Sequence, residues 1–124
     1  MDNKTVLIVE DNPLNMKLAA DVLELNGFAV VKATDGETAL QLIKSHPFQL
    51  ILLDIHLPGM DGFELFQRIH DDPACAHIRI VALTASAMRE DEERIRQAGF
   101  HDYIAKPIEV KSFIQKVRTL TAQA

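Results

Sequence analysis

Cysteine is nearly missing from this chain. Cys75 is the only one among 124 residues, so no disulfide can close within it, which fits a reducing cytosol. Apolar runs are short as well. No stretch approaches the roughly 18 residues that a bilayer-spanning helix needs, and Met1-Asp2-Asn3-Lys4 leads straight into a short strand. Positive charge is scarce and scattered. With 13 Lys and Arg against 18 Asp and Glu, the formal charge is −5; this argues against nucleic acid or a membrane surface as partner, because both are bound through clustered cations. The 5 histidines show no metal-ligand spacing and are expected at the surface or in loops. Internal repeats, low-complexity tracts and linkers are also missing. These exclusions leave a soluble, cytoplasmic chain, expected to form one domain over residues 1–124 and able to hide about two-thirds of its unfolded surface.

What the sequence does contain is alternation. Short apolar runs, Thr5 to Val9, Ala29 to Ala33, Leu50 to Asp54, Ile80 to Thr84 and Asp102 to Ala105, are separated by segments of helical period. Pro13 suits a first helical position, and Leu14, Leu18, Val22 and Leu25 form an apolar stripe that Gly27 terminates. Thr34-Asp35-Gly36-Glu37 has capping-box spacing, with the Thr34 hydroxyl and Glu37 carboxylate expected to satisfy each other's backbone donors. Gly62 opens a helix carrying Phe63, Phe66 and Ile69; a fourth helix runs from about Met88 to Ala98 and stops at Gly99. A fifth carries Val110, Phe113, Ile114, Val117 and Leu120. Five βα units in succession predict an α/β fold, a parallel sheet covered on both faces.

In open sheets of this kind, ligands gather outside the carboxyl ends of the strands. Glu10-Asp11 follows the first strand, Asp54 ends the third, Thr84 ends the fourth, and Lys106-Pro107 follows the fifth. Taken singly, each residue could be a helix cap, a turn residue or an exposed charge. Their coincidence on one edge describes a site. Two unit charges about 4 Å apart repel by on the order of 4 kcal/mol at an effective dielectric near 20, so Glu10, Asp11 and Asp54 together call for a hard cation. Mg²⁺, or Mn²⁺ in its place, takes a few carboxylate oxygens and keeps other positions for water or phosphate. Lys106, the Thr84 hydroxyl and the Ala85 backbone N–H could then hold a phosphoryl group, and the Asp54 carboxylate could attack phosphorus without first losing a proton.

These residues carry a resemblance. Through Glu10-Asp11-Asn12, the segment from Leu53 to Gly62, Leu83-Thr84-Ala85 and Lys106-Pro107, the chain resembles the receiver domain of two-component response regulators, which are CheY-like. The resemblance implies a flavodoxin-like (βα)5 three-layer sandwich with strand order 2-1-3-4-5. It implies that Asp54 accepts a phosphoryl group from a histidine kinase or histidine phosphotransfer protein. Asp11, Asp54 and the His56 backbone carbonyl would hold Mg²⁺, with Glu10 helping directly or through water. Thr84 and Lys106 would contact the phosphoryl group, the Lys106-Pro107 bond would be cis, and Tyr103 would be an aromatic switch turning inward as Thr84 moves. The domain would promote its own phosphotransfer and autodephosphorylation without being an enzyme in the ordinary sense.

Met88-Arg89 through Ala98-Gly99, with Asn15-Met16-Lys17-Leu18, look like stand-alone cell-cycle regulators of the DivK type, although receiver modules of hybrid histidine kinases are similar. Output is expected through a partner protein, on the surface of the fourth helix, fifth strand and fifth helix, with Arg89 to Arg96 and Lys111 as contacts. Two rival classes fit less well. A phosphatase with an aspartate nucleophile would carry it on the first strand with a second Asp two residues on, where this chain has His56. A flavin mononucleotide carrier would meet repulsion from Glu10 and Asp11. His56 itself departs from the common occupants of its position and is expected to alter attack by water on the phosphorylated side chain.

Overall fold

The computed structural model describes residues 4–75, 77–85 and 89–122. Five strands, β1 (Thr5–Val9), β2 (Ala29–Ala33), β3 (Leu50–Asp54), β4 (Arg79–Thr84) and β5 (Asp102–Ala105), alternate with helices α1 (Pro13–Leu25), α2 (Gly36–Ser45), α3 (Gly62–His70), α4 (Arg89–Ala98) and α5 (Val110–Ala122). A short 3-10 turn, Pro73–Cys75, precedes β4. All pairings are parallel, in the order β2-β1-β3-β4-β5. Because β1 lies in the interior and β2 and β3 flank it, the chain reverses direction across the sheet after β2.

Strand alternation divides the core into two. Leu7, Val9, Ile51, Leu53, Ile80 and Ala82 point toward α2, α3 and α4, where Ala39, Leu65, Phe66, Ile69 and Ile95 meet them. Val6, Ile8, Leu50, Leu52, Val81 and Leu83 face α1 and α5, against Met16, Ala19, Ala20, Leu23, Phe113 and Val117. β3 is buried along its whole length, as a central strand covered on both faces must be. That is why Leu50 to Leu53 show no polar alternation.

Two expectations need correction. Of the apolar stripe of α1 only Val22 faces the core: Leu14, Leu18 and Leu25 are 78%, 38% and 86% exposed, and the buried face is Met16, Ala19, Ala20, Val22 and Leu23. Helical period fits either stripe, and the alanines let the helix approach the sheet closely, so the small-residue face wins. The start of α2 is also one residue later than the capping-box pattern suggests. Asp35 is the N-cap, its carboxylate accepting from the Thr38 N–H at 2.7 Å and the Thr38 hydroxyl at 3.1 Å. A carboxylate next to the threonine offers the stronger acceptor to the helix N-terminus. The fourth helix is described from Arg89, and Met88 lies outside the described residues.

Candidate functional site

At the carboxyl edge, β1, β3 and β5 each deliver one member of a charged cluster. Glu10 continues β1, its N–H donating to the Ala33 carbonyl at 3.0 Å. Asp54 is the last residue of β3, and the next N–H, that of Ile55, is tied to the Leu83 carbonyl of β4 at 3.2 Å. Lys106 follows β5, its N–H bonded to the Thr84 carbonyl at 2.8 Å. Backbone ladders therefore fix the bases of all these side chains before any side-chain contact is made. The Lys106–Pro107 peptide bond is cis.

The loop after Asp54 is held just as closely. Gly62 donates its N–H to the Ile55 carbonyl at 3.1 Å, and a Cβ at Gly62 would lie 2.4 Å from Ile55 Cα and 2.6 Å from the Asp54 carbonyl oxygen. Only a residue without a side chain lets α3 start this near to β3. Asp61 caps that helix through the Glu64 N–H at 2.9 Å.

Three charged groups meet in the interior of this edge. The Lys106 ammonium lies 2.8 Å from Asp54 Oδ2 and 2.6 Å from Glu10 Oε1. Asp54 Oδ1 accepts from the His56 N–H at 2.8 Å, and Glu10 Oε2 from the Asn12 N–H at 3.2 Å. Glu10, Asp54 and Thr84 are 1%, 3% and 0% exposed, whereas Asp11 faces solvent. Ala85 is exposed just beyond Thr84. One lysine between two buried carboxylates leaves a surplus negative charge. Burial, and then the Asp54 carboxylate, push the Glu10 carboxyl up to about 7. Burial alone would also raise Asp54, but Glu10, Lys106 and the His56 N–H together hold it below the ordinary value. Burial works against the Lys106 charge, and Asp54 and Glu10 outweigh it, leaving the ammonium harder to deprotonate than usual.

This donor set suits a metal ion. Glu10, Asp11 and Asp54 each offer a carboxylate oxygen within 4.8 Å of the others, the one such trio among the described residues. Glu10 Oε1 is buried, with the Lys106 ammonium 2.6 Å away. All-oxygen, all-carboxylate ligation points to a hard divalent cation, not to zinc or copper.

Tyr103 sits on β5, half-buried against the core of the α2–α4 side, with its hydroxyl donating to the Glu92 carboxylate of α4. Lys116 of α5 donates to the Tyr103 carbonyl at 2.8 Å and lies 5.1 Å from the centre of its ring. Sequence reasoning missed two features near the site. The Asn12 N–H supports Glu10 while the Asn12 side chain caps α1, a role that Asn before Pro could have signalled. Arg94 of α4 lies with its guanidinium carbon 4.1 Å over the Phe63 ring of α3 and borders the same cleft as Asp11 and His56. No local pattern could have paired it with them.

No described helix is long and apolar enough to cross a membrane. The model of the response regulator receiver domain family matches residues 6–118. A polar-differentiation response regulator, DivK, from Brucella anthropi is 46% identical over 121 residues, covering 98% of both chains. Among solved structures, a response regulator from Chloroflexus aurantiacus superposes with a TM-score of 0.93 at 32% identity, covering 98% of this chain and 99% of that one. The receiver domain of a sensor histidine kinase from Pseudomonas aeruginosa, with a magnesium ion coordinated in its active-site cleft, gives 0.89 at 30% identity, again over 98% and 99%.

Proposed function

The chain belongs to the response regulator receiver family, and from that premise we propose that Asp54 is its phosphoacceptor. The observation that carries the reading is the Lys106 ammonium at 2.8 Å from one Asp54 oxygen, beside the Glu10–Asp11–Asp54 carboxylates. Asp54 is buried and kept ionised, so a lone pair is available for attack without a base. Asp11, Asp54 and the His56 carbonyl would hold Mg²⁺ or Mn²⁺, with Glu10 behind them. Such an ion offsets the charge of the phosphoryl oxygens. Lys106 would follow a phosphoryl oxygen added to Asp54, and Thr84 and the Ala85 N–H, at the end of the neighbouring strand, would donate to the others.

The donor is a phosphohistidine on a histidine kinase or phosphotransfer protein. Signalling follows from partner binding at the surface of α4, β5 and α5. Tyr103 is the element that couples site to surface, since it lies on β5, touches α4 through Glu92 and α5 through Lys116. Water later removes the phosphoryl group, at a rate that His56, exposed at the cleft mouth, modulates. The 46% identity over nearly the whole chain favours a role like that of the DivK relative in polar differentiation over a module of a hybrid kinase.

The test is direct. Incubated with Mg²⁺ and a small phosphodonor, the protein should gain one phosphoryl group by intact-mass spectrometry, and Asp54→Asn should gain none. Undiminished labelling of Asp54→Asn would place the acceptor elsewhere.

A further inference from the structure

We infer that Asn12 is a positioning residue for the carboxylate trio: by capping α1 it fixes the short bridge that carries Glu10 and Asp11, and so sets how tightly this edge binds a divalent cation. The inference rests on Glu10, Asp11 and Asp54 forming a metal site, and it adds a residue that is not one of the three.

Glu10, Asp11 and Asn12 alone connect β1 to α1. The first is tied to the sheet, since the Glu10 N–H donates to the Ala33 carbonyl at 3.0 Å. The last is tied to the helix. Asn12 Oδ1 accepts from the Leu14 N–H at 2.9 Å and the Asn15 N–H at 3.1 Å, and the Asn12 carbonyl accepts from the Met16 N–H at 3.0 Å. Pro13 between them has no N–H to satisfy, so the cap serves the first two donors that the helix presents. Asp11 lies between the two anchors, and its exposed carboxylate accepts no hydrogen bond among the described residues. Its place within 4.8 Å of the Glu10 and Asp54 oxygens is therefore dictated by the backbone on either side.

Asn12 also reaches Glu10 directly. Its N–H donates to Glu10 Oε2 at 3.2 Å, while Oε1 lies 2.6 Å from the Lys106 ammonium. The two contacts differ in how they respond to a cation. Lys106 has the same sign of charge as the ion and would compete with it for Glu10 and Asp54; a neutral N–H would not, and it continues to orient the carboxylate as the site fills. That N–H points at Glu10 only while Asn12 keeps its extended backbone, φ −82° and ψ 120°, the conformation that goes with its side-chain cap. Groups that orient a metal's ligands in this way are commonly worth about ten-fold or more in affinity.

The experiment measures Mn²⁺ affinity, from the electron paramagnetic resonance signal of the free ion, well below the melting transition and at constant ionic strength. Asn12→Ala should bind about ten-fold more weakly than the parent. Asn12→Gly separates positioning from stability, because glycine is tolerated at an N-cap but has no oxygen to hold the bridge: it should melt close to the parent and still lose affinity. Asn12→Ser restores an uncharged acceptor and should recover most of the binding. Parent-like Mn²⁺ binding by the Ala and Gly chains, or a Ser chain as weak as both, overturns the inference alone. A parent that binds no Mn²⁺, or binds it undiminished after Asp11→Asn, overturns the metal site and this inference with it.

Discussion

The two edges of the sheet differ in what they bury. At the carboxyl edge, Glu10, Asp54 and Thr84 are almost wholly enclosed and Lys106 is mostly so. At the amino edge, a hollow of about 460 Å³ lies between Ile43, His46, Phe48, Cys75 and Ile78, yet no ion pair is buried there among the described residues. Buried charge is costly, so a fold retains it where chemistry requires it.

The edges also respond to pH with opposite sign. Glu10 is held at about 7 against an ordinary 4.5, so the folded state binds more protons and stability falls as pH rises between those values. At the amino edge, the Ile80 N–H donates to His101 Nδ1 at 3.0 Å, while the His101 N–H returns a bond to the Ile80 carbonyl at 2.9 Å. The side chain thus extends the β4–β5 ladder by one bond, which exists only while Nδ1 is unprotonated. Burial, with the positive charges of Arg79 and His70, keeps this imidazole below its ordinary 6.5. Stability from His101 is accordingly complete above 6.5 and lost as pH falls below it.

Three substitutions would break or sharpen this contrast. Gly62→Ala has the largest expected effect, because the added carbon meets backbone and not a side chain that could move. A loss of about 3 kcal/mol in urea denaturation is expected, with slower Asp54 labelling, since the displaced atoms carry the acceptor. Glu10→Gln comes next. In metal-free buffer near pH 8 it should melt higher than the parent by about 4 °C, and the difference should shrink toward pH 5. A parent as stable at pH 8 as at pH 5 would show that Glu10 is not strained. The smallest effect belongs to His101→Gln, whose amide oxygen can accept from Ile80 without titrating. It should lessen the acid loss of stability between about pH 6.5 and 5 while leaving the alkaline limb unchanged.

The sequence made the carboxyl edge legible and the amino edge opaque, for a physical reason. Strands such as Leu50–Asp54 are marked by local composition, and breakers such as Pro58 and Gly59 mark their ends, so the residues at the ends of several strands could be gathered from topology alone. His101 gave no such signal, because its partner lies 21 residues away on another strand. The exposed leucines of α1 were misplaced because period defines a stripe but not which of two stripes faces the sheet. At α2, the neighbouring Thr34 and Asp35 offered two caps, and only the realised backbone selects one.

By itself, then, the chain determined the alternation of strands and helices, the edge on which function lies, and the groups assembled there, since these follow from short-range pattern and the rules of parallel sheets. Tertiary structure alone decided that Lys106 bridges Glu10 and Asp54, that Gly62 must stay bare, and that Arg94 reaches the cleft across Phe63. These depend on how closely strands and helices approach. Distances of a few ångströms between residues far apart in sequence leave no mark on local pattern.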